Sequence, residues 1–317
     1  MSFIGRALQF VFQKGDGTSF AGGGNTLTVP FGNQAQVWLE HAWLPGLGHL
    51  QAHVWGVGLD VMNELSTLGI RVTLQPRNFV TVNAMDEDGS NPSQVFQGAI
   101  WMCSPDMNAQ PETVLMVDAY AGIDLATLPP IAQSYPGEAD LIQMLTAICN
   151  ASGWMLETNG VMGVQCANSY NWGDALSAIR ALRQSVLHLG VDIVPDVTNK
   201  TVAVYYIQKG RSSATGVPLV SAGTPPGALG ATVPSGSPGM LLGYPTYTQF
   251  GIDFRCIYTP TLKRGGQVQV QSSLQSATGL WTIYGLGHNL DAQIPDGKWE
   301  SVVQATRVGY PTPIVTQ

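Results

Sequence analysis

Three histidines lie close together near the start of the 317-residue sequence, and histidine is the commonest side-chain ligand of zinc. They are His41, His49 and His53. A zinc site needs about four donors that converge in space. The segment around His49 and His53 has the alternation of a strand, in which residues four apart share a face but lie about 13 Å from each other. The sequence therefore predicts core or interface histidines, and no metal site.

The most enzyme-like pair is His288 followed three residues later by Asp291. A nucleophile would have to join them, but the sequence contains no GxSxG motif and no cysteine within a known active-site pattern. Glu138 and Glu157 have no evident carboxylate partners for glycoside hydrolysis. Because only 11% of the residues are charged, the chain has few ionisable side chains from which an active site could be built. We predict that the chain is not an enzyme and that it has no cofactor.

Two loops have the composition of ligand-binding loops without their spacing. Asp86, Glu87 and Asp88 lie before Gly89, between two strand-like runs, where a hairpin tip is expected. They lack the alternating carboxylates and the closing glutamate of a calcium loop. The glycines at 22–24 have no neighbouring lysine and no following helix, so we predict a flexible loop and not a phosphate-binding one.

The cysteines and the termini indicate where the chain is made. The four cysteines are far apart and form no CxxC pair, which predicts buried thiols and synthesis in a reducing cytoplasm: Cys103, Cys149, Cys166 and Cys256. The first 17 residues have neither the sustained apolar run nor the cleavage site of a signal peptide. The sequence also lacks a run of about 18 apolar residues, so no membrane insertion is expected.

The charge content is the most telling feature of the composition. The net charge of −7 does not indicate a basic surface that would bind nucleic acid. The 11% of charged residues compares with roughly 25% in an ordinary soluble domain. Because charge is depleted in the cores of interfaces, this favours a chain that buries much of its surface against other subunits. The alternative is a β-protein whose surface is polar but uncharged.

Hydrophobic periodicity divides the chain into regions of different class. Residues 1–125 alternate with period two, with one short helix predicted at 60–68. The middle, residues 126–210, changes to helical period at 138–152 and 174–189. It is predicted as α+β, with a hairpin that joins 154–157 to 161–166 through Asn159-Gly160, and a second that joins 191–194 to 201–207.

The last quarter of the chain returns to period two. Residues 211–242 are rich in Gly, Ser and Pro and read as a linker or an extended loop. Residues 243–317 then contain four alternating runs between turn signals, which predict a meander that closes into a small barrel or sandwich: residues 252–257, 267–271, 281–284 and 299–305.

This last region resembles the baseplate hub proteins of tailed bacteriophages. The similarity covers a stretch of about seventy residues. Within it, the matching runs are Gly243-Tyr244-Pro245-Thr246-Tyr247, residues 252–257, 259–273 and 279–291, and Gly297-Lys298-Trp299. Thr259-Pro260 stands where Asn-Pro is more usual in that family. The order β, α+β, β extends the resemblance more loosely over the whole chain.

The resemblance implies a mainly β fold, in which two tail-tube-like antiparallel β-barrel domains flank a helix-containing domain. It implies a homotrimer that presents six barrels to the sixfold tail tube, or to a tube-initiator protein, and threefold symmetry to a central spike. Such a protein resides in the virion, in the tail baseplate, after assembly in the host cytoplasm. Its channel passes phage DNA without binding it, which suits an anionic chain. We expect Asp86, Glu87 and Asp88 to line that channel.

Two other functions remain open at this point. A carbohydrate- or receptor-binding β-module of the tail would use exposed aromatic side chains, whereas the same residues in a structural subunit would fill cores and interfaces. The residues concerned are Trp38, Trp43, Trp55, Trp101, Trp154, Trp172, Trp281 and Trp299. A peptidoglycan-cleaving domain is the third possibility, but no acid pair or zinc motif supports it.

Overall fold

The computed structural model describes residues 5–41, 48–66, 77–108, 112–127, 134–135, 137–167, 173–196, 198–211, 217–221 and 239–308. The fold is mainly β with an α+β middle, which confirms the predicted class. Two of the tryptophans, Trp43 and Trp172, lie outside these residues, and so does most of the predicted linker.

The first region forms seven strands and one short helix. The strands are β1 Arg6–Gln13, β2 Thr26–Val29, β3 Ala35–His41, β4 Gly48–Trp55, β5 Phe79–Asp86, β6 Ser93–Asp106 and β7 Val114–Ala121. The helix, α1 Leu59–Leu65, confirms the one predicted at 60–68, although it ends earlier, at an extended Ser66. The burial of β3, β4 and β7 alternates residue by residue, as the period of two predicts.

The middle region contains three helices and five strands. In chain order these are α2 Ile123–Thr127, β8 Glu138–Asp140, α3 Leu141–Ser152, β9 Met155–Glu157, β10 Gln165–Ala167, α4 Ala175–Val186, β11 Val191–Asp196 and β12 Thr201–Tyr206. A 3₁₀ turn, Leu187–Leu189, extends α4. Strands β11 and β12 form the predicted second hairpin.

Capping residues fix both long helices of the middle region. The Asp140 carboxylate accepts from the Gln143 N–H at 3.2 Å, and the Asp174 carboxylate accepts from the Ser177 N–H at 2.7 Å. Each satisfies an amide that the first turn leaves unpaired. Gly153 ends α3 in the left-handed conformation, as predicted. Helix α3 starts three residues later than expected because residues 138–140 form β8.

The predicted hairpin at Asn159-Gly160 is wrong, although its turn forms. Both residues have positive φ, 45° and 76°, and the Val161 N–H donates to the Thr158 carbonyl at 2.9 Å. The flanking strands pair elsewhere, because β9 lies parallel to β12 and β10 pairs with β8. The Asn159 side chain donates to the Val204 carbonyl at 3.0 Å and so ties the turn to β12.

The chain after residue 211 contains the four strands of the predicted meander and three short ones, two of which, at 219–221 and 239–240, lie within the predicted linker 211–242. They are β13 Leu219–Ser221, β14 Gly239–Met240, β15 Thr246–Thr248, β16 Gly251–Ile257, β17 Gln267–Gln271, β18 Gly279–Ala292 and β19 Trp299–Arg307. Strand β18 is much longer than the predicted run at 281–284, because residues 286–292 continue it into the first region.

Both β-rich regions belong to one fourteen-stranded sheet. Residues 286–292 of β18 pair antiparallel with the whole of β3, from Leu286 opposite His41 to Ala292 opposite Ala35. The strand pairings of the described residues therefore form one open, branched path, whereas the sequence predicted two separate barrels. The difference arises at β18, whose single long strand serves both regions.

The sheet contains the same five-stranded arrangement twice. Strands β3–β7, which we call the N unit, lie in the order β3-β4-β7-β6-β5, and strands β15–β19, the C unit, lie in the order β15-β16-β19-β18-β17. All neighbours within both units are antiparallel. The fourth strand of each unit, β6 or β18, is 14 residues long. Its register is irregular against the strand that follows it in the chain, between Ile100 and Met102 against β7 and between Ile283 and Gly285 against β19.

Three hydrophobic clusters fill the interior. One joins β1–β7 and α1, and Leu290 and Ala292 of β18 complete it. A second lies between α3, α4, β11 and β12. The third belongs to the C unit with β13 and Leu241. The predicted domain boundaries remain predictions, but each cluster is centred in a different one of the predicted regions.

Candidate functional site

The three histidines near the N-terminus lie on both faces of the sheet. His49 and His53 point outward from β4, whereas His41 is buried on the inner face at the end of β3. His49 stacks on Tyr120 at 4.5 Å, and its Nε2 lies 2.8 Å from the Asp118 carboxylate. Because the sheet separates these histidines, they do not converge, and the described residues hold no cluster of three potential metal ligands.

Aromatic side chains cover the outer face of the N unit. His53 lies edge-on to Trp38 at 5.1 Å and to Trp55 at 6.2 Å, and Trp101 contacts Tyr120 at 6.0 Å. We call this set, with His49 and Tyr120, the aromatic face. Trp38 is its most exposed large side chain. By contrast, Trp154 and Trp281 are buried in the cores and donate their indole N–H to the Asp124 carboxylate and the Ala277 carbonyl.

A second histidine pair is buried where the two units join. The rings of His41 and His288 are 5.3 Å apart and nearly perpendicular. His288 Nδ1 lies 3.0 Å from the Ser301 hydroxyl, whereas the buried Nε2 of His41 has no hydrogen-bond partner among the described residues. Burial lowers the pKa of His41 to about 4 and that of His288 well below its usual value. Both rings are therefore neutral at pH 7.

An ionic cluster lies beside this pair, at the point where the middle region meets the sheet. Arg211 is buried and binds two carboxylates, Glu157 at 2.8 and 2.7 Å and Asp196 at 2.5 Å. Burial would raise the pKa of Asp196, but the Arg211 charge and a hydrogen bond from the Thr198 N–H lower it to about 2. The Arg211 N–H also donates to the Gly265 carbonyl at 2.7 Å. The side chain of Arg211 thus joins β9 to β11, and the backbone N–H of the same residue joins them to the C unit.

A second ion pair lies in the same junction. Arg183 of α4 donates to Asp192 at 2.5 and 3.3 Å, and the Tyr205 hydroxyl donates to the same carboxylate at 3.3 Å. The Arg264 Nε donates to the Tyr284 carbonyl at 3.1 Å. We call the residues of these three ion pairs, with Arg264 and His41, the ionic junction. Its charges are paired, and the pKa values of Glu157 and Asp196 are lowered, so neither carboxyl is suited to serve as a general acid.

Gly265 brings the C unit into contact with the middle region, and its replacement by alanine has a predictable cost. Its φ is +79°, and a Cβ there would lie 2.6 Å from the Tyr205 ring. We expect Gly265→Ala to lower the free energy of unfolding by about 2 kcal/mol, measured by urea denaturation. Gly160→Ala is the matched control, because its φ is +76° but its Cβ would meet open space. An equal loss in both variants would contradict this account of Gly265.

The acidic residues predicted to line a channel form an exposed hairpin tip. Asp86 ends β5, Glu87 and Asp88 follow in the turn, and β5 pairs with β6 as expected. The Ser90 N–H donates to the Asp88 carboxylate and the Ser90 hydroxyl donates to the Asp86 carboxylate. Hydrogen bonding from Ser90 lowers the pKa of Asp88. Asp86 also accepts from the Asn91 side chain at 2.8 Å. The carboxylates hold the turn together, and their place in a channel stays a prediction.

The other residues that could take part in catalysis do not form a catalytic arrangement among the described residues. His288 and Asp291 are an odd number of residues apart on β18, so they point to opposite faces of the sheet. Asp291 accepts from the Lys298 N–H at 2.8 Å, and Ser301, which contacts His288, is fully buried. Glu138 is exposed on β8, whereas Glu157 is bound by Arg211. The absence of enzymatic activity stays a prediction.

Two further findings concern the thiols and the membrane. All four cysteines are buried, and burial raises the pKa of Cys149 and Cys256 to about 12, so both are protonated thiols at pH 7. Within the described ranges, no helix has both the length and the apolar character needed to cross a bilayer.

Two tail proteins of known structure share this fold over nearly the whole chain. The 43 kDa tail protein of prophage MuSo2 from Shewanella oneidensis has a TM-score of 0.53 at 11% identity, covering 96% of this chain and 99% of its own. The tail protein from Neisseria meningitidis MC58 has a TM-score of 0.55 at 10% identity, covering 98% of both chains. No protein family model matches the sequence. No curated protein sequence matches it either. The chain therefore has a fold that occurs in tail proteins.

Proposed function

We propose that this protein is a structural subunit of a phage tail, and that it serves there as a baseplate hub. The observation that carries the proposal is the fold shared with two tail proteins over at least 96% of each chain. Because a match of that extent includes both sheet units and the middle region, the likeness is not limited to one common β-motif. The sequence similarity of residues 243–299 to hub proteins narrows the proposal from the tail to the hub.

In this proposal three chains form a ring between the tail tube and the central spike. Each chain supplies two five-stranded units of the same topology, so three chains present six similar units to a sixfold tube. The low charge content supports extensive burial between subunits. The net charge of −7 suits a channel that lets DNA pass without binding it. The protein acts by joining partners of different symmetry, without catalysis.

Locating the protein within the tail tests this function. A tag on an exposed residue such as Met162, in the middle region, is compatible with folding. We expect gold-labelled antibody against the tag to mark the end of purified tails where the spike is attached, in electron micrographs. Labelling along the whole tube, or tails that lack the protein, would contradict the hub role.

The aromatic face favours a second candidate function, the binding of carbohydrate by the tail. Tryptophan rings beside carboxylates and amides are suited to stack on sugars and to bond their hydroxyls. Binding of host-surface glycan by purified protein, lost in Trp38→Ala, would support this function. Under the hub proposal, Trp38→Ala has no effect on glycan binding because there is none to lose.

A further inference from the structure

We propose that the aromatic face binds a basic segment of a partner protein, and that an arginine of this segment stacks on Trp38. The inference rests on the hub proposal, in which the outer surface of the sheet meets other tail proteins, and it assigns the chemistry of one such contact. Its basis is an exposed indole ring that lies among carboxylates, on strands that carry no lysine or arginine.

The strand register places Trp38 in a row of side chains that crosses four strands. Gln51 of β4 lies opposite Trp38 on one side, and Asn289 of β18 lies opposite it on the other. Asp118 of β7 lies opposite Gln51. Because neighbouring strands are about 4.8 Å apart, Asp118 lies about 10 Å from Trp38 across the sheet. Strands of both units therefore contribute to the surroundings of the indole ring.

The strands around Trp38 carry negative charge. Glu40, two residues further along β3, is exposed on the same face, and Asp291 of β18 lies diagonally across from Trp38. Strands β3, β4 and β7 and residues 286–292 of β18 contain no lysine or arginine. The exposed Lys298 lies at the margin of this surface, where its carbonyl accepts from the Asp291 N–H at 2.7 Å. The surface around Trp38 therefore attracts a cationic occupant and repels nucleic acid and acidic sugars.

Another tryptophan of the aromatic face shows the contact that we expect at Trp38. The Arg77 guanidinium lies over the Trp101 ring, 4.5 Å from its centroid. Trp101 is thus covered by a cation of its own chain, whereas Trp38 is 36% exposed. The indole is the aromatic ring that binds cations most strongly, and a guanidinium also pairs with carboxylates. Because residues two apart on a strand are separated by about 7 Å, an arginine stacked on Trp38 can also pair with Glu40.

The side chains beside Trp38 suit it to serve as an anchor. His53 lies edge-on to Trp38 at 5.1 Å, and Trp55 lies edge-on to His53 at 6.2 Å. Burial lowers the pKa of His53, so its ring is neutral at pH 7 and adds no positive charge beside the indole. Tryptophan and arginine are also the side chains that most often dominate the binding free energy of protein interfaces.

Binding of a model peptide tests this assignment. The probe is a short peptide of alternating arginine and serine, and the reference is the same peptide with citrulline in place of arginine, which keeps the shape and removes the charge. Calorimetric titration of the full-length protein measures both affinities. We expect the arginine peptide to bind at least about tenfold more tightly than the citrulline peptide, and its affinity to fall as salt is added.

Variants separate the proposed contact from a general attraction of opposite charges. Trp38→Leu and Glu40→Gln are each expected to weaken binding of the arginine peptide about threefold. Because both side chains are exposed, the fold is expected to persist, as checked by circular dichroism and thermal unfolding. Glu138→Gln is the matched control, since it removes the same charge from an exposed position on β8, and we expect it to bind like wild type.

Three results would overturn the assignment: equal binding of the two peptides, no binding of the arginine peptide, and binding that Trp38→Leu does not weaken. An equal effect of Glu40→Gln and Glu138→Gln would also overturn it, because the attraction would then depend on net charge alone. A wild type that binds neutral glycan and not the arginine peptide would assign the face to the second candidate function instead. The location in the tail is tested separately by the labelled tails, so the hub proposal can hold where this inference fails.

Discussion

Replacing Arg211 with alanine is expected to lower the free energy of unfolding by about 3–5 kcal/mol, the usual cost of breaking a buried ion pair by removing one partner. The guanidinium makes three hydrogen bonds to Glu157 and Asp196, and Asp196 is buried. Without Arg211, the Asp196 charge stays inside the protein with no cation bound to it. Chemical denaturation at pH 7 measures the loss.

The pH dependence of this loss separates charge from packing. Without the Arg211 charge, burial raises the pKa of Asp196, so the carboxyl takes up a proton at a higher pH than in wild type, and the penalty shrinks as the pH falls. A purely steric defect would cost the same at pH 4 and pH 7. Arg255→Ala is the matched control, because this arginine is exposed on β16, and its loss is expected to change stability by no more than about 0.5 kcal/mol. A small, pH-independent effect of Arg211→Ala would contradict the role assigned to the ionic junction.

Lowering the pH from 7 to 4 is expected to remove about 3 kcal/mol of stability through His41 alone. The pKa of this ring is about 4 in the folded chain, because burial disfavours its charged form, and 6.5 in the unfolded chain. Between these values the unfolded state binds a proton that the folded state does not, so stability falls as the pH falls. His288, whose pKa burial also lowers, adds to the loss.

Denaturation curves between pH 7 and 4 measure this slope in wild type and in His41→Leu. The variant should be less sensitive to acid, because it has lost a group that charges only on unfolding. Asp196 contributes little to the slope between pH 7 and 4, because its stabilising contribution is lost mainly below its unfolded pKa of 3.8. His188→Leu is the control, because His188 is exposed after α4. An unchanged slope in His41→Leu would show that the buried ring does not govern the acid response.

Local patterns in the sequence predicted the elements well where one face of an element is buried. Strands of the N and C units and both long helices follow from periods of 2 and 3.6, and Gly153 ends α3 as its position indicates. The turn at Asn159-Gly160 also follows from local chemistry. The pairing of its flanking strands does not, because β9 pairs with β12 and β10 pairs with β8, and no local pattern relates these strands.

The ionic junction and the pairing of β18 with β3 that joins the two units could not be predicted from the sequence. Arg211 lies 54 residues from Glu157, and 15 from Asp196, and no periodicity connects residues so far apart. One signal was present, since Arg211 is the only charged residue of the predicted linker, and a lone charge in such a segment indicates a specific partner. The partner change along β18 could not be foreseen, because the partners of a strand are set by residues far away in the chain. Burial in β18 alternates only from Leu286 to Ala292, after an unbroken buried run at 281–286.

The native mass of the purified protein, alone and with the spike protein of the same tail, tests the central claim most directly. A ring-forming hub should have three times the 33.7 kDa of the chain, and should keep that stoichiometry when it binds one threefold spike. A stable monomer that binds glycan and ignores the spike would contradict the account.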